Sequence, residues 1–215
     1  MQPERVRRIP VTGARPNRRQ RQRRQHRAEI IAAARKLFAE NGFERTAMAD
    51  IAAAADFSVG ALYNFFEHKQ DLYRCIIQEI AEEIHVAVSS ALALTGTPIE
   101  RIERFVAAQT AVLSKHAAVG RIYFELGMGS PLAPTAGLAT ELRVMYERTL
   151  GALQATFREG IETGCFAPLD PLVLALTLEA LITSFVPVLA ERPDAYSAEQ
   201  MSGAVCRVFF EGVRV

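Results

Sequence analysis

Cysteine is scarce in this chain: three in 215 residues, Cys75, Cys165 and Cys206, far apart. No CxxC pair and no His/Cys cluster occurs, so the spacing that zinc needs is missing and no metal is expected. A sparse, odd number of thiols fits a reducing compartment better than a disulfide scaffold, and the expected location is cytoplasmic. The four histidines, His26, His68, His85 and His116, are scattered. With them go a Ser/His/Asp set and a phosphate loop, neither of which can be found, and no cofactor is expected. Sustained period-two alternation of β-branched residues is also lacking, which argues against a sheet. No apolar run follows the basic start, so a secretory leader is not expected, although an arginine-rich, acid-poor start also fits a mitochondrial transit peptide.

Lysine is absent from the first 27 residues, which hold ten arginines and one glutamate, net +9. The remainder is net −8, so the overall charge of +1 conceals a strong asymmetry. Arginine's planar fork suits phosphate better than lysine's point charge. A solvated, disordered tail and a basic arm serving a DNA-binding domain both fit this block.

What remains is helical, and an all-α fold is predicted. Residues 1–24 read as a basic, disordered arm, 25–66 as a compact unit of short helices, and 67–215 as a larger unit of long amphipathic helices. Ile30, Ile31, Ala34, Leu37 and Phe38 mark one face of a first helix over 25–41, ended by Asn41-Gly42. Thr46 is placed to cap a second helix through Ala54, and Ser58 a third through Phe65. A fourth helix runs from Lys69 to Leu94. Further helices are expected near 98–115, 118–128, 135–163, 170–190 and 197–212. Pro171 to Ala190 is apolar enough to suggest a membrane span, but Glu179 at its centre and Pro187 within it favour a buried helix, and no membrane partner is expected.

Residues 46–66 read as helix-turn-helix, with Ile51, Ala55 and Leu62 between the helices and Asp56 at a left-handed turn position. The second helix of such a motif enters the major groove by its N-terminal residues. Here those are Val59, Gly60 and Ala61, which let the backbone come close but offer no bidentate hydrogen bonds. Ser58 and Thr46, with hydroxyls at helix N-termini, and Tyr63 one turn on are candidates for phosphate. Lys69 points the same way. A cation at a helix N-terminus is disfavoured by about 0.3–1 kcal/mol, and a phosphate bound there reverses the sign.

The stretch RAEIIAAARKLFAENGFERTAMADIAAAADFSVGALYNFFEHKQDL, residues 27–72, resembles the DNA-binding domain of the tetracycline-repressor (TetR/AcrR) family of bacterial regulators. Gly42-Phe43, Thr46, Ile51-Ala52, Ser58, Gly60, Leu62-Tyr63, Phe66 and Lys69 carry the resemblance. It implies an N-terminal three-helix helix-turn-helix domain joined to a larger helical ligand-binding and dimerisation domain. It further implies a homodimer that represses from a palindromic operator on double-stranded DNA and leaves it when a small-molecule effector binds. Thr46, Ser58, Tyr63 and Lys69 match the family's phosphate-contact positions, and Val59, Gly60, Ala61 and Asn64 its recognition-helix positions. Asp56 for the usual turn glycine, Phe65 for histidine or tyrosine, and His68 for a small cap are departures. The effector pocket is expected among the middle helices, with Phe105, Gln109, Tyr123, Phe124, Tyr146 and Phe185 as candidates and His116, Arg121 and Glu179 as orienting groups. The last two long helices are expected to form the dimer interface through Leu174, Leu178, Leu181, Ile182, Phe185, Val205, Val208 and Phe209. An all-α enzyme, or an architectural or interaction module without a ligand, are the alternatives that the residues leave open.

Overall fold

A computed structural model describes residues 17–117, 140–192 and 194–213. The expected helix at 118–128, with Arg121, Tyr123 and Phe124, lies outside the described residues, as do residues 1–16 of the arm. Within the described residues the chain is all α, in the order α1 (Arg18–Asn41), α2 (Met48–Ala54), α3 (Val59–Tyr63), α4 (Lys69–Ala93), α5 (Pro98–Lys115), α6 (Thr140–Glu162), α7 (Pro171–Thr183), α8 (Phe185–Glu191) and α9 (Ala198–Val213).

The first helix begins at Arg18, seven residues before the expected start. Asn17 caps it, its Oδ1 accepting from the Gln20 N–H at 2.8 Å while Gln20 Oε1 accepts from the Asn17 N–H at 3.1 Å. This reciprocal pair is a capping box, satisfying two otherwise orphaned donors. The added turns are held from the side as well. The Arg23 guanidinium lies over the Phe65 ring at 5.7 Å, and Arg27 over Phe66 at 5.3 Å. His26 meets Phe57 edge-on at 5.2 Å. Phe65 thus serves as a platform for α1. The helix stops at Gly42, which takes φ +81° and returns its N–H to the Phe38 carbonyl, a conformation that costs glycine little.

Two main cores follow from these helices. The first joins Ile30, Ala34 and Phe38 of α1, Ile51 and Ala52 of α2, Leu62 of α3, and Leu72, Tyr73, Ile76 and Ile80 of α4. The second joins Val88 and Leu92 of α4 to Ile102, Phe105 and Val106 of α5, Leu153 and Phe157 of α6, Leu174, Leu178 and Ile182 of α7, and Val205 and Phe209 of α9. Helix α4 therefore belongs to both, contributing its first half to one and its last turns to the other. Gly160 of α6 allows a close approach, because a Cβ there would lie 2.2 Å from the Phe166 ring.

The single helix expected over 170–190 is two. Pro187 has no N–H for the Thr183 carbonyl, so the ladder fails there, and the Ser184 hydroxyl turns to the Leu181 carbonyl at 2.7 Å. The segment Pro171–Leu189 is long and apolar enough to cross a membrane, with mean hydropathy 2.2, yet only a third of it is buried. Its inward residues Leu174, Ala175, Leu178 and Ile182 pack into the second core, whereas Leu172, Val173 and Leu176 face outward and are 40–54% exposed. On α9, Val205 and Phe209 point in and Val208 points out. Most residues expected at a dimer interface thus belong to the chain's own core. Leu174, Leu178, Ile182, Val205 and Phe209 are all at most 2% exposed. Of the positions expected to meet a partner, Val208 is exposed, at 61%.

Candidate nucleic-acid interface and effector site

The helix-turn-helix is built by local hydrogen bonds. The Ala55 N–H returns to the Ile51 carbonyl and Phe57 N–H to Ala52, closing α2. Asp56 then takes φ +62°, unusual for a residue with a side chain. Ser58 begins α3, its Oγ accepting from the Ala61 N–H at 3.2 Å. The hydroxyl proton is left over, at a helix N-terminus that favours an anion. Val59, Gly60, Tyr63 and Asn64 are exposed, Ala61 is half-buried, and Leu62 between them is fully buried. One side of α3 therefore anchors the turn and the other presents a shallow surface. A Cβ added at Gly60 would meet nothing within 4 Å, so the fold itself does not require glycine there.

Two expected phosphate contacts are engaged elsewhere. Thr46 is 1% exposed. Its hydroxyl donates to the Gly42 carbonyl at 2.8 Å and the Leu37 carbonyl at 3.3 Å, tying down the end of α1. It does not cap α2: Ala47 holds that position, its N–H bonded to the Asp50 carboxylate at 2.9 Å. The Lys69 ammonium donates to the Phe43 carbonyl at 2.6 Å and the Glu44 carbonyl at 3.3 Å, and sits 4.3 Å from the Phe43 ring centre. Its charge is thus stabilised by backbone oxygens and an aromatic face rather than by free solvent. Asp71 joins from below, accepting from the His68 N–H at 3.0 Å.

The cationic surface is wider than the motif. Arg18, Arg19 and Arg24 are exposed and form no hydrogen bond or ion pair among the described residues, and the first turn of α1 holds no acid. Arg18 and Arg19, in the first turn, oppose the helix dipole unless an anion lies nearby. The Asn17-x-x-Gln20 cap was the signal for this extension.

In the second core, α5 and α7 bring two expected residues into contact. Gln109 Nε2 donates to Glu179 Oε2 at 2.9 Å. Tyr146 is close enough to Glu179 for the carboxylate to act on its phenol, whose pKa is raised by burial first and by that charge second. Burial also raises the Glu179 carboxyl above its ordinary range, against the opposing effect of the Gln109 bond. Phe105 lies one turn before Gln109 and is fully buried in the core. Phe185 is not part of this group: it stands at the start of α8, edge-on to Tyr196 at 5.7 Å. His116 is not either; it bonds Glu83 at 2.9 Å, and Lys115 bonds the other oxygen of that carboxylate at 2.7 Å, which together pin the end of α5 to α4. These two hydrogen bonds, Lys115 first, hold the Glu83 pKa down.

A raised carboxyl pKa makes the native state bind a proton more tightly than the unfolded chain. The cost of ionised Glu179 is fully present above its native pKa and disappears as pH falls through it. Glu179→Gln is therefore expected to raise the melting temperature at neutral and alkaline pH, with little change near pH 4. Thermal unfolding of both proteins from pH 4 to 9 checks this; a gain that does not grow with pH refutes it.

Residues 30–76 match the model of the bacterial regulatory proteins of the tetR family. The chain is 31% identical over 143 residues to the HTH-type transcriptional repressor DhaR of Mycobacterium sp. strain GP1, spanning 66% of this chain and 68% of that one. The TetR-family regulator PfmR of Thermus thermophilus superposes with a TM-score of 0.70 at 24% identity, over 85% of this chain and 97% of its own. The regulator AibR, solved with isovaleryl coenzyme A and operator DNA, superposes with a TM-score of 0.63 at 21% identity, over 86% and 98%. The capped, shallow α3 on a three-helix core, set before a larger helical unit, and these similarities lead to one conclusion: the chain belongs to the TetR family of DNA-binding transcriptional regulators.

Proposed function

We propose that the protein is a cytoplasmic homodimer that represses from a palindromic operator and is released by a small molecule bound in the second core. The observation that carries this reading is the surface of α3. Gly60 has open space where a side chain would stand, so its bareness serves something outside the fold. The major groove is that neighbour, with Val59, Gly60, Ala61 and Asn64 against base edges and backbone. Ser58 and Tyr63 are free to bond phosphates. Thr46 and Lys69 serve the interface by fixing the α1–α2 corner, and the Lys69 ammonium has a third N–H to offer.

Residues 17–66, completed by the first half of α4, form the reading head, and the rest forms the effector and dimer unit. The outward apolar residues Leu172, Val173, Leu176 and Val208 support a dimer, since the described residues leave them exposed on α7 and α9. Two heads on one duplex face must stand about 34–36 Å apart or a compatible multiple. Helix α4 joins both cores, so a ligand that tilts it changes that separation. It can do so only through unequal affinity for the two arrangements.

Footprinting of the DNA upstream of the gene tests the reading. A protected palindrome whose occupancy falls steeply with salt is expected; sequence-independent coating would sink it. Arg18, Arg19 and Arg24 extend the interface to flanking phosphates. Changing all three to serine is expected to flatten the log–log salt dependence by about 0.9 for each phosphate no longer neutralised. An unchanged slope would remove the α1 extension from the interface.

A further inference from the structure

The cluster of Gln109, Glu179 and Tyr146 has more hydrogen-bond acceptors than the protein uses. Gln109 is 5% exposed, and its Oε1 is buried without a partner among the described residues. A buried amide oxygen is nearly always satisfied, so an unpaired one marks a place where something else belongs. Beside it, Glu179 accepts the single bond from Gln109, and no lysine, arginine or histidine among the described residues pairs with its carboxylate. Glu179 is half-buried as a residue, and its carboxyl is desolvated by the surrounding core. Tyr146 is half-buried as a residue, and its side chain forms no hydrogen bond among the described residues. Around them Phe105, Leu178 and Ile182 are fully buried and apolar. Helices α5 and α7 thus meet at a small polar spot in an apolar core, with Tyr146 of α6 within reach of the Glu179 charge, as recognition sites for compact amphiphiles do.

We propose that the polar head of the effector is a non-anionic hydrogen-bond donor, an ammonium or a hydroxyl, seated between Gln109, Glu179 and Tyr146. Such a head gives the Gln109 oxygen its missing donor and uses the vacant lone pairs of Glu179. A carboxylate or phosphate head would set a second negative charge against Glu179 and leave the Gln109 oxygen unsatisfied. An ammonium would meet an ionised Glu179 and stabilise that form, whereas a hydroxyl would bond the carboxyl in either state. This inference rests on the effector-binding reading above.

The full-length protein tests it with matched probes, octylamine, 1-octanol and octanoate, and the same head groups on cyclohexylmethyl. Binding is read by thermal shift, and release by fluorescence anisotropy of an operator duplex. The amine or the alcohol is expected to bind at least about tenfold more tightly than the carboxylate of the same body, the difference of one charge-assisted hydrogen bond. Glu179→Gln keeps the bond to Gln109 and is expected to lower amine affinity about tenfold while sparing the alcohol, which also tells the two heads apart. Gln109→Leu, checked for folding by circular dichroism, is expected to weaken whichever head binds. A carboxylate that binds as tightly as its partners and releases the operator overturns the inference and leaves the effector reading standing. An amine or alcohol whose affinity ignores both substitutions overturns it too. If no probe of either body binds, the inference falls, and if the operator also resists extracts containing the cell's metabolites, the effector reading falls with it.

Discussion

Gly60→Leu is expected to leave the protein folded and to abolish specific operator binding. A Cβ at position 60 meets open space. Within a helix, glycine is less favourable than other residues by about 0.5–1 kcal/mol. The substitution is therefore neutral or slightly stabilising for the isolated protein. In the proposed complex the groove fills the same space. If each half-site loses what a mismatched base pair costs, about 1–3 kcal/mol, the dimer loses about 2–6 kcal/mol, or roughly 30-fold to 10⁴-fold in affinity. Thermal unfolding and operator titration on one preparation separate the two effects. A stable variant that holds its operator as tightly as the parent would show that α3 does not face DNA through this turn.

A second large effect is expected at the opposite end of the molecule. Leu176→Glu combined with Val208→Glu places charges on side chains that are 42% and 61% exposed in the single chain. For a monomer these are surface changes worth within about 0.5 kcal/mol each. For a two-fold interface each is met by its own copy, so four carboxylates enter an apolar contact. Sedimentation should find a particle of 23.7 kDa rather than twice that mass. Operator affinity should fall by about 10²–10⁴, because one head without its tethered partner loses the gain of simultaneous engagement. Retained dimers would move the interface away from α7 and α9.

The two experiments bear on different levels of the chain's organisation, and so did the sequence. What the sequence determined by itself is what acts within about four residues. The end of α1 at Gly42, the Ser58 cap, the left-handed Asp56 and the burial of Leu62 beside exposed Val59 all follow from such local rules. The spacing of those same residues also specified the family. The Asn17 cap was equally local, and the missed extension of α1 shows a readable signal masked by the surrounding arginines.

Only the tertiary structure decided matters that depend on which helix meets which. The α7 helix is apolar nearly all round, so periodicity could not separate its core side from its outward side. Packing against α6 and α9 assigned Leu174 and Leu178 inward and Leu172 and Leu176 outward. Thr46 and Lys69 had free hydrogen-bonding groups by sequence, but the folded corner supplied carbonyls from residues 37, 42, 43 and 44 that claimed them. Gln109 and Glu179 lie 70 positions apart and touch at 2.9 Å. No local rule relates them, because backbone propensity fixes helices one at a time, while the meeting of their side chains is set by the common core that all the helices fill.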